Sequence, residues 1–120
     1  MLPRRLILTG LIAALATPAL SQGKKPSNAP TGIAGPYTVQ GLNTDGSKYS
    51  GTVDIVEQGD AVEMTWLVNG DTIRGQGTRE GRILTIDWGD KTPVIYVVMP
   101  DRTLHGTWDD GLALEKLTPR

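Results

Sequence analysis

The chain has 120 residues, the size of one domain, with 12 Lys+Arg against 13 Asp+Glu and a net charge of −1. That balance excludes a generally basic nucleic-acid binder and a strongly charged disordered chain. Cysteine is absent and histidine occurs once, so disulfides, thiolate metal sites, a cysteine nucleophile and an intrachain His–His metal pair are excluded as well.

Residues 1–21 read as a secretory signal peptide. Arg4 and Arg5 supply the positive start, Leu6 to Leu15 is apolar except for Thr9 and Gly10, and Pro18 with small residues follows. Cleavage after Ser21 places Ala19 and Ser21 at the two small-residue positions, and cleavage after Ala19 is the alternative. The apolar run is shorter than the ~20 residues a membrane-spanning helix needs. The arginine pair fits ordinary Sec export better than a twin-arginine signal, and no cysteine follows it to carry a lipid. Periplasmic or secreted localisation is therefore expected. Residues 22–34, with Gly23, Pro26, Ser27, Asn28, Pro30 and Gly32, read as a flexible tether with little to bury. The remaining domain, 35–120, holds 8 basic and 13 acidic residues and so carries −5. An acidic body repels phosphates, which argues further against nucleic acid.

From Gly35 onward apolar and polar residues alternate with period two, interrupted by turn residues at short intervals. Strands are predicted at Tyr37 to Leu42, Lys48 to Glu57, Ala61 to Val68, Thr72 to Thr78, Arg82 to Trp88, Pro93 to Met99, Arg102 to Trp108 and Leu112 to Leu117. Asn69-Gly70 is the sharpest hairpin signal, because a type I′ turn needs two residues that tolerate positive φ. No connection has room for a crossover helix, so neighbours should be antiparallel. The fold class is all-β. A meander of this length leaves two open edges unless it closes, which favours an eight-stranded antiparallel up-and-down barrel; a two-sheet β-sandwich is the alternative.

The alternation assigns an inner face. Tyr49, Gly51, Val53 and Ile55 share one side, followed by Val62, Met64, Trp66 and Val68, by Ile73, Gly75 and Gly77, and by Leu84, Ile86 and Trp88. Val94, Tyr96 and Val98 are preferred on the sixth strand, with Leu104, Gly106 and Trp108 on the seventh. Large residues and glycines thus share one surface, and Trp66, Trp88 and Trp108 are expected to fill the space opposite Gly51, Gly75, Gly77 and Gly106.

The run Gly35-Pro36-Tyr37-x-Val39-x-Gly41-x-Asn43-x-Asp45-Gly46-Ser47-x-Tyr49-x-Gly51-x-Val53 resembles the opening of a small exported bacterial domain family. That family is represented in rhizobial and leptospiral proteins and has no established biochemical role. Gly75-x-Gly77, Trp88-Gly89, Leu104-x-Gly106-x-Trp108 and Glu115-x-Leu117 resemble its later landmarks, so the resemblance covers nearly all of 35–117. The strand-end Gly-x-Trp is also similar to calycin-like barrels of the avidin and lipocalin type, which implies the same architecture.

Six residues are candidates for a ligand site: Tyr49, Trp66, Trp88, Tyr96, Trp108 and Glu115. The aromatics either fill the core or line an apolar pocket, since an eight-stranded barrel is at the size where both occur. Glu115 shares a face with Gly111, Ala113 and Leu117. If that face is inward, its carboxylate needs hydrogen bonds or a proton, and it either orients a ligand or links structurally to an indole, a phenol or a cation. If Leu112 and Leu114 point inward instead, Glu115 is exposed.

Asn43-x-Asp45-x-Ser47 spaces oxygens as a calcium loop does, but Gly46 is misplaced and the pattern falls across a hairpin, so it reads as a turn. Asp87, Asp90, Asp109 and Asp110 should gather at one barrel end. His105 lies on the polar face with no triad partner. No nucleophile elbow, phosphate loop or metal signature is present, so no cofactor and no enzymatic activity are expected. The reading is a binding module for a small apolar ligand. The alternative is a module for an exported protein partner, either an adhesion domain or a hydrolase inhibitor using the 22–34 arm or the Gly46–Tyr49 loop.

Overall fold

The structure is a computed structural model and describes residues 32–120; the expected signal peptide and residues 22–31 of the tether lie outside them. Eight strands follow in chain order: β1 Gly35–Leu42, β2 Lys48–Gln58, β3 Ala61–Val68, β4 Asp71–Glu80, β5 Ile83–Asp87, β6 Val94–Val98, β7 Leu104–Trp108 and β8 Ala113–Pro119. Each pairs antiparallel with the next, and β8 returns to pair with β1 from Leu42↔Leu114 to Tyr37↔Pro119. The sheet is a closed barrel, and the sandwich alternative is excluded. Closure gives the edges of β1 and β8 hydrogen-bond partners they would otherwise lack. No helix among the described residues is long and apolar enough to cross a membrane.

The turns follow their local chemistry. Asn69 and Gly70 take φ of 54° and 82°, as a type I′ hairpin requires. In the β1–β2 loop the Asp45 carboxylate accepts hydrogen bonds from the Ser47 amide (2.9 Å) and hydroxyl (2.6 Å). The Asn43 amide group donates to Ser47 Oγ at 3.0 Å. All three side chains with calcium-like spacing are thus engaged in building the turn. Strand ends differ from expectation by a residue or two. Most visibly, β7 begins at Leu104 rather than Arg102, because Arg102 adopts φ 70° in the preceding turn.

The inner face is the expected one. Val53, Ile55, Val62, Met64, Trp66, Leu84, Ile86, Val94, Tyr96, Val98 and Leu104 are buried, while Asp54, Glu63, Arg74 and His105 are exposed outside. Tight curvature depends on two glycines. A Cβ at Gly77 would lie 1.8 Å from the Thr85 carbonyl oxygen, and one at Gly51 would lie 2.1 Å from that of Leu67. At these positions neighbouring backbones approach too closely for any side chain, which corrects the expectation that tryptophans fill the space there.

The domain also begins earlier than expected. Ile33, assigned above to the tether, is fully buried in the core cluster. Its N–H donates to Glu57 Oε1 (3.0 Å) and its carbonyl accepts from the Tyr37 hydroxyl (2.7 Å). Glu57 is held from its other oxygen by Arg79 at 2.7 Å. Ile33 therefore closes the end of the barrel where β1 starts, and 32–34 belong to the fold.

Candidate functional site

The opposite end is bounded by the β1–β2, β3–β4, β5–β6 and β7–β8 loops, and there the interior is hollow. A cavity of about 140 Å³ opens among these loops. Its walls include Tyr49, Trp66, Trp88, Tyr96 and Trp108, and Glu115 also lines it, so the structure brings together all six residues expected from the sequence. Val68, Ile73 and Val94 complete the apolar wall, with the carboxamide residues Asn43 and Asn69 beside them.

Glu115 points inward and is only 8 % exposed, which settles its orientation; Leu112 and Leu114 are the outward pair, at 66 % and 50 %. The register explains how a carboxylate is accommodated there. Glu115 on β8 faces Gly41 on β1 and Gly106 on β7, and these face Tyr49 on β2 and Tyr96 on β6. The row around the barrel is Tyr49, Gly41, Glu115, Gly106, Tyr96. Each phenol ring lies across its neighbouring glycine: a Cβ at Gly41 would sit 2.0 Å from the Tyr49 ring, and one at Gly106 would sit 2.4 Å from the Tyr96 ring. The two tyrosines thereby converge on Glu115 from both sides. At Gly106 the covering ring is Tyr96 and not the expected tryptophan, whereas at Gly75 the expectation holds: Trp66 lies 2.9 Å from a Cβ built there.

The Tyr49 hydroxyl donates to Glu115 Oε1 at 2.7 Å, and the Tyr96 hydroxyl donates to Oε2. Trp66, three strands away from β8, reaches across the interior and donates its indole N–H to Oε2 at 3.1 Å. The Trp108 indole donates to the Tyr49 hydroxyl at 3.0 Å and so orients that phenol toward the carboxylate. Hydrogen bonds to a charged group each contribute about 1.5–3 kcal/mol, and three of them offset much of the desolvation cost of Glu115. Burial, followed by the Glu115 charge, raises both phenol pKa values above the ordinary range, so Tyr49 and Tyr96 remain protonated donors at neutral pH.

Closer to the mouth, Trp88 and Trp108 meet edge to face, with ring centroids 5.5 Å apart and planes at 80°. Trp88 is anchored by its indole N–H on the Thr92 carbonyl at 3.1 Å. Tyr49 and Trp108 also meet edge to face, at 6.3 Å and 65°. The acidic loop residues do gather at this end, but each of three carboxylates already has a local donor. Asp87 accepts from the Gly89 amide (3.0 Å), Asp90 from the Lys91 amide (2.8 Å), and Asp109 from the Thr44 hydroxyl. No cluster of three or more His, Asp or Glu suited to a metal ion occurs among the described residues. His105 lies on the outer face, between Val97 and Lys116 in the register.

The part that sequence reasoning missed is the pairing of glycine with tyrosine. A usable signal existed in the turn length. Five residues from Asn43 to Ser47 set Leu42 opposite Lys48, and counting back sets Gly41 opposite Tyr49. The wall residues Val68, Ile73 and Val94 were legible as inward-facing, but not as bordering a hollow. No known protein family, curated protein or solved structure matches the chain.

Proposed function

We propose that the protein is an exported, non-enzymatic binding module of the bacterial envelope, which takes one small, largely apolar ligand in the open end of its barrel. The observation that carries this reading is the uneven filling of the interior. One end is packed and capped by Ile33, whereas the other keeps a cavity of about 140 Å³ walled by aromatic and aliphatic side chains. An apolar cavity of roughly 150 Å³ suffices for a benzene-sized molecule. The hydrogen bonds to Glu115 favour binding over catalysis, because three donors hold the carboxylate in place and the phenols beside it keep their protons. Export rests on the Arg4-Arg5 start and the apolar run after it, and fits the resemblance to small exported bacterial domains.

The test is titration of the full chain with neutral ring-sized probes such as cyclohexanol and toluene, read by tryptophan fluorescence and by the NMR signals of the indole N–H groups. Saturable shifts at Trp66, Trp88 and Trp108 are expected. Ile73→Trp, which places a large ring at a half-buried wall position, should abolish them while leaving the fold intact. Absence of saturable shifts, or undiminished binding by Ile73→Trp, would refute the reading. The alternative, a protein partner at the loops, draws on the 66 % exposure of Leu112 in the β7–β8 connection. It gains if an exported hydrolase is inhibited by the wild type and not by Leu112→Ser, with no probe entering the cavity.

A further inference from the structure

We infer that the ligand is a small organic cation, an alkylammonium with a compact apolar body, bound with its N–H toward Glu115 and its charge over the aromatic wall. This rests on the cavity reading above and specifies its chemistry.

The first observation is a buried charge without a counter-charge. Glu115 is 8 % exposed, yet its hydrogen-bond donors are two phenols and an indole, none of which carries a positive charge. Among the described residues the ion pair joins Arg79 to Glu57, at the closed end. A buried carboxylate with dipolar donors alone remains a strong attractor for a cation.

The second observation concerns the two oxygens. Oε2 accepts from both Trp66 and Tyr96, whereas Oε1 accepts from Tyr49 only. A carboxylate oxygen accepts two hydrogen bonds, so Oε1 has acceptor capacity beyond the Tyr49 bond, and Glu115 lines the cavity. One N–H donor of a ligand matches that capacity.

The third observation is the wall. Tyr49, Trp88 and Trp108 form a contiguous edge-to-face group lining the same cavity. Aromatic side chains grouped around a carboxylate favour an ammonium over an uncharged group of equal size, because the ring quadrupole presents its negative face to the cation. The body carries −5, with Asp90, Asp109 and Asp110 in loops at the cavity end, so the field draws cations to the mouth. A bare metal ion fits poorly, since no set of three suitable ligands exists among the described residues.

The experiment compares cyclohexylammonium with its neutral isostere cyclohexanol on the full chain at pH 7 and low ionic strength, by calorimetry and tryptophan fluorescence. The ammonium should bind at least about tenfold more tightly than the alcohol. Glu115→Gln should bring the two probes within about twofold of each other. Because that substitution disturbs a buried hydrogen-bonded group, Trp88→Leu serves as a second variant. Trp88 contacts none of the Glu115 donors through its own hydrogen bond, which goes to Thr92. It should weaken the ammonium several-fold and the alcohol less. Equal or weaker binding of the ammonium by the wild type overturns the cation assignment and leaves the cavity reading standing. Failure of both probes to bind at about 10 mM overturns both.

Discussion

The two ends of the barrel use the same inward alternation but fill the interior differently. At the closed end, aliphatic residues such as Val39, Leu84, Leu104 and Leu117 are fully buried, and Ile33 enters from the leading segment to cap them. At the open end the large inward residues are aromatic, set beside Val68, Ile73 and Val94, and hydrogen bonds fix where most of the rings sit. Tyr49, Tyr96 and Trp66 are drawn to Glu115, and Trp108 is drawn to Tyr49. Rings held by polar contacts cannot collapse inward to fill the remaining space, and a cavity persists. A polar centre inside a small barrel can thus keep part of it open while the other part supplies stability.

Truncating side chains tests this division most directly. Leu84→Ala at the closed end should cost about 2–5 kcal/mol, since it leaves a hole in a packed core. Val68→Ala at the cavity wall should cost under about 1 kcal/mol, because part of its surroundings is already unfilled. Urea denaturation of both variants measures the contrast, and equal costs would mean that the two ends are packed alike.

Glycine substitution sharpens the comparison at the boundary between the ends. Gly106→Ala places a methyl group 2.4 Å from the Tyr96 ring, so the ring must move away from Glu115. A loss of about 1–3 kcal/mol is expected. In combination with Tyr96→Phe the losses should fall short of additive, because both changes disrupt the same contact. A strictly additive double-mutant cycle would separate the glycine from the hydrogen bond.

A separate effect should appear at alkaline pH. Tyr49 and Tyr96 have pKa values raised by burial and by the Glu115 charge. Above about pH 10 the unfolded chain loses phenol protons that the folded chain retains, so the folded state binds more protons and stability falls as pH rises. Tyr37 at the closed end is also raised by burial, but the Arg102 hydrogen bond and charge oppose the shift. Tyr96→Phe should therefore flatten the alkaline decline more than Tyr37→Phe, as measured by thermal melts between pH 9 and about pH 12.

Much of this architecture was legible in the chain itself. Period-two alternation placed Val53, Met64, Leu84 and Leu104 inside, and the turn residues separated eight strands. Short connections made neighbouring strands antiparallel. These features are local, because a strand's side-chain period and a turn's φ requirement act within a few residues. The composition likewise placed charge in the body and excluded thiolate chemistry without reference to the fold. What the tertiary structure decided depends on contacts between distant positions. It decided closure through β1 and β8, where Leu42 meets Leu114. It showed that Ile33 is a cap rather than part of a tether, because burial requires the opposite wall to be in place. It also turned Glu115 inward: the alternation on β8 allowed either face, and only the donors from β2, β3 and β6 make a carboxylate tolerable inside the barrel.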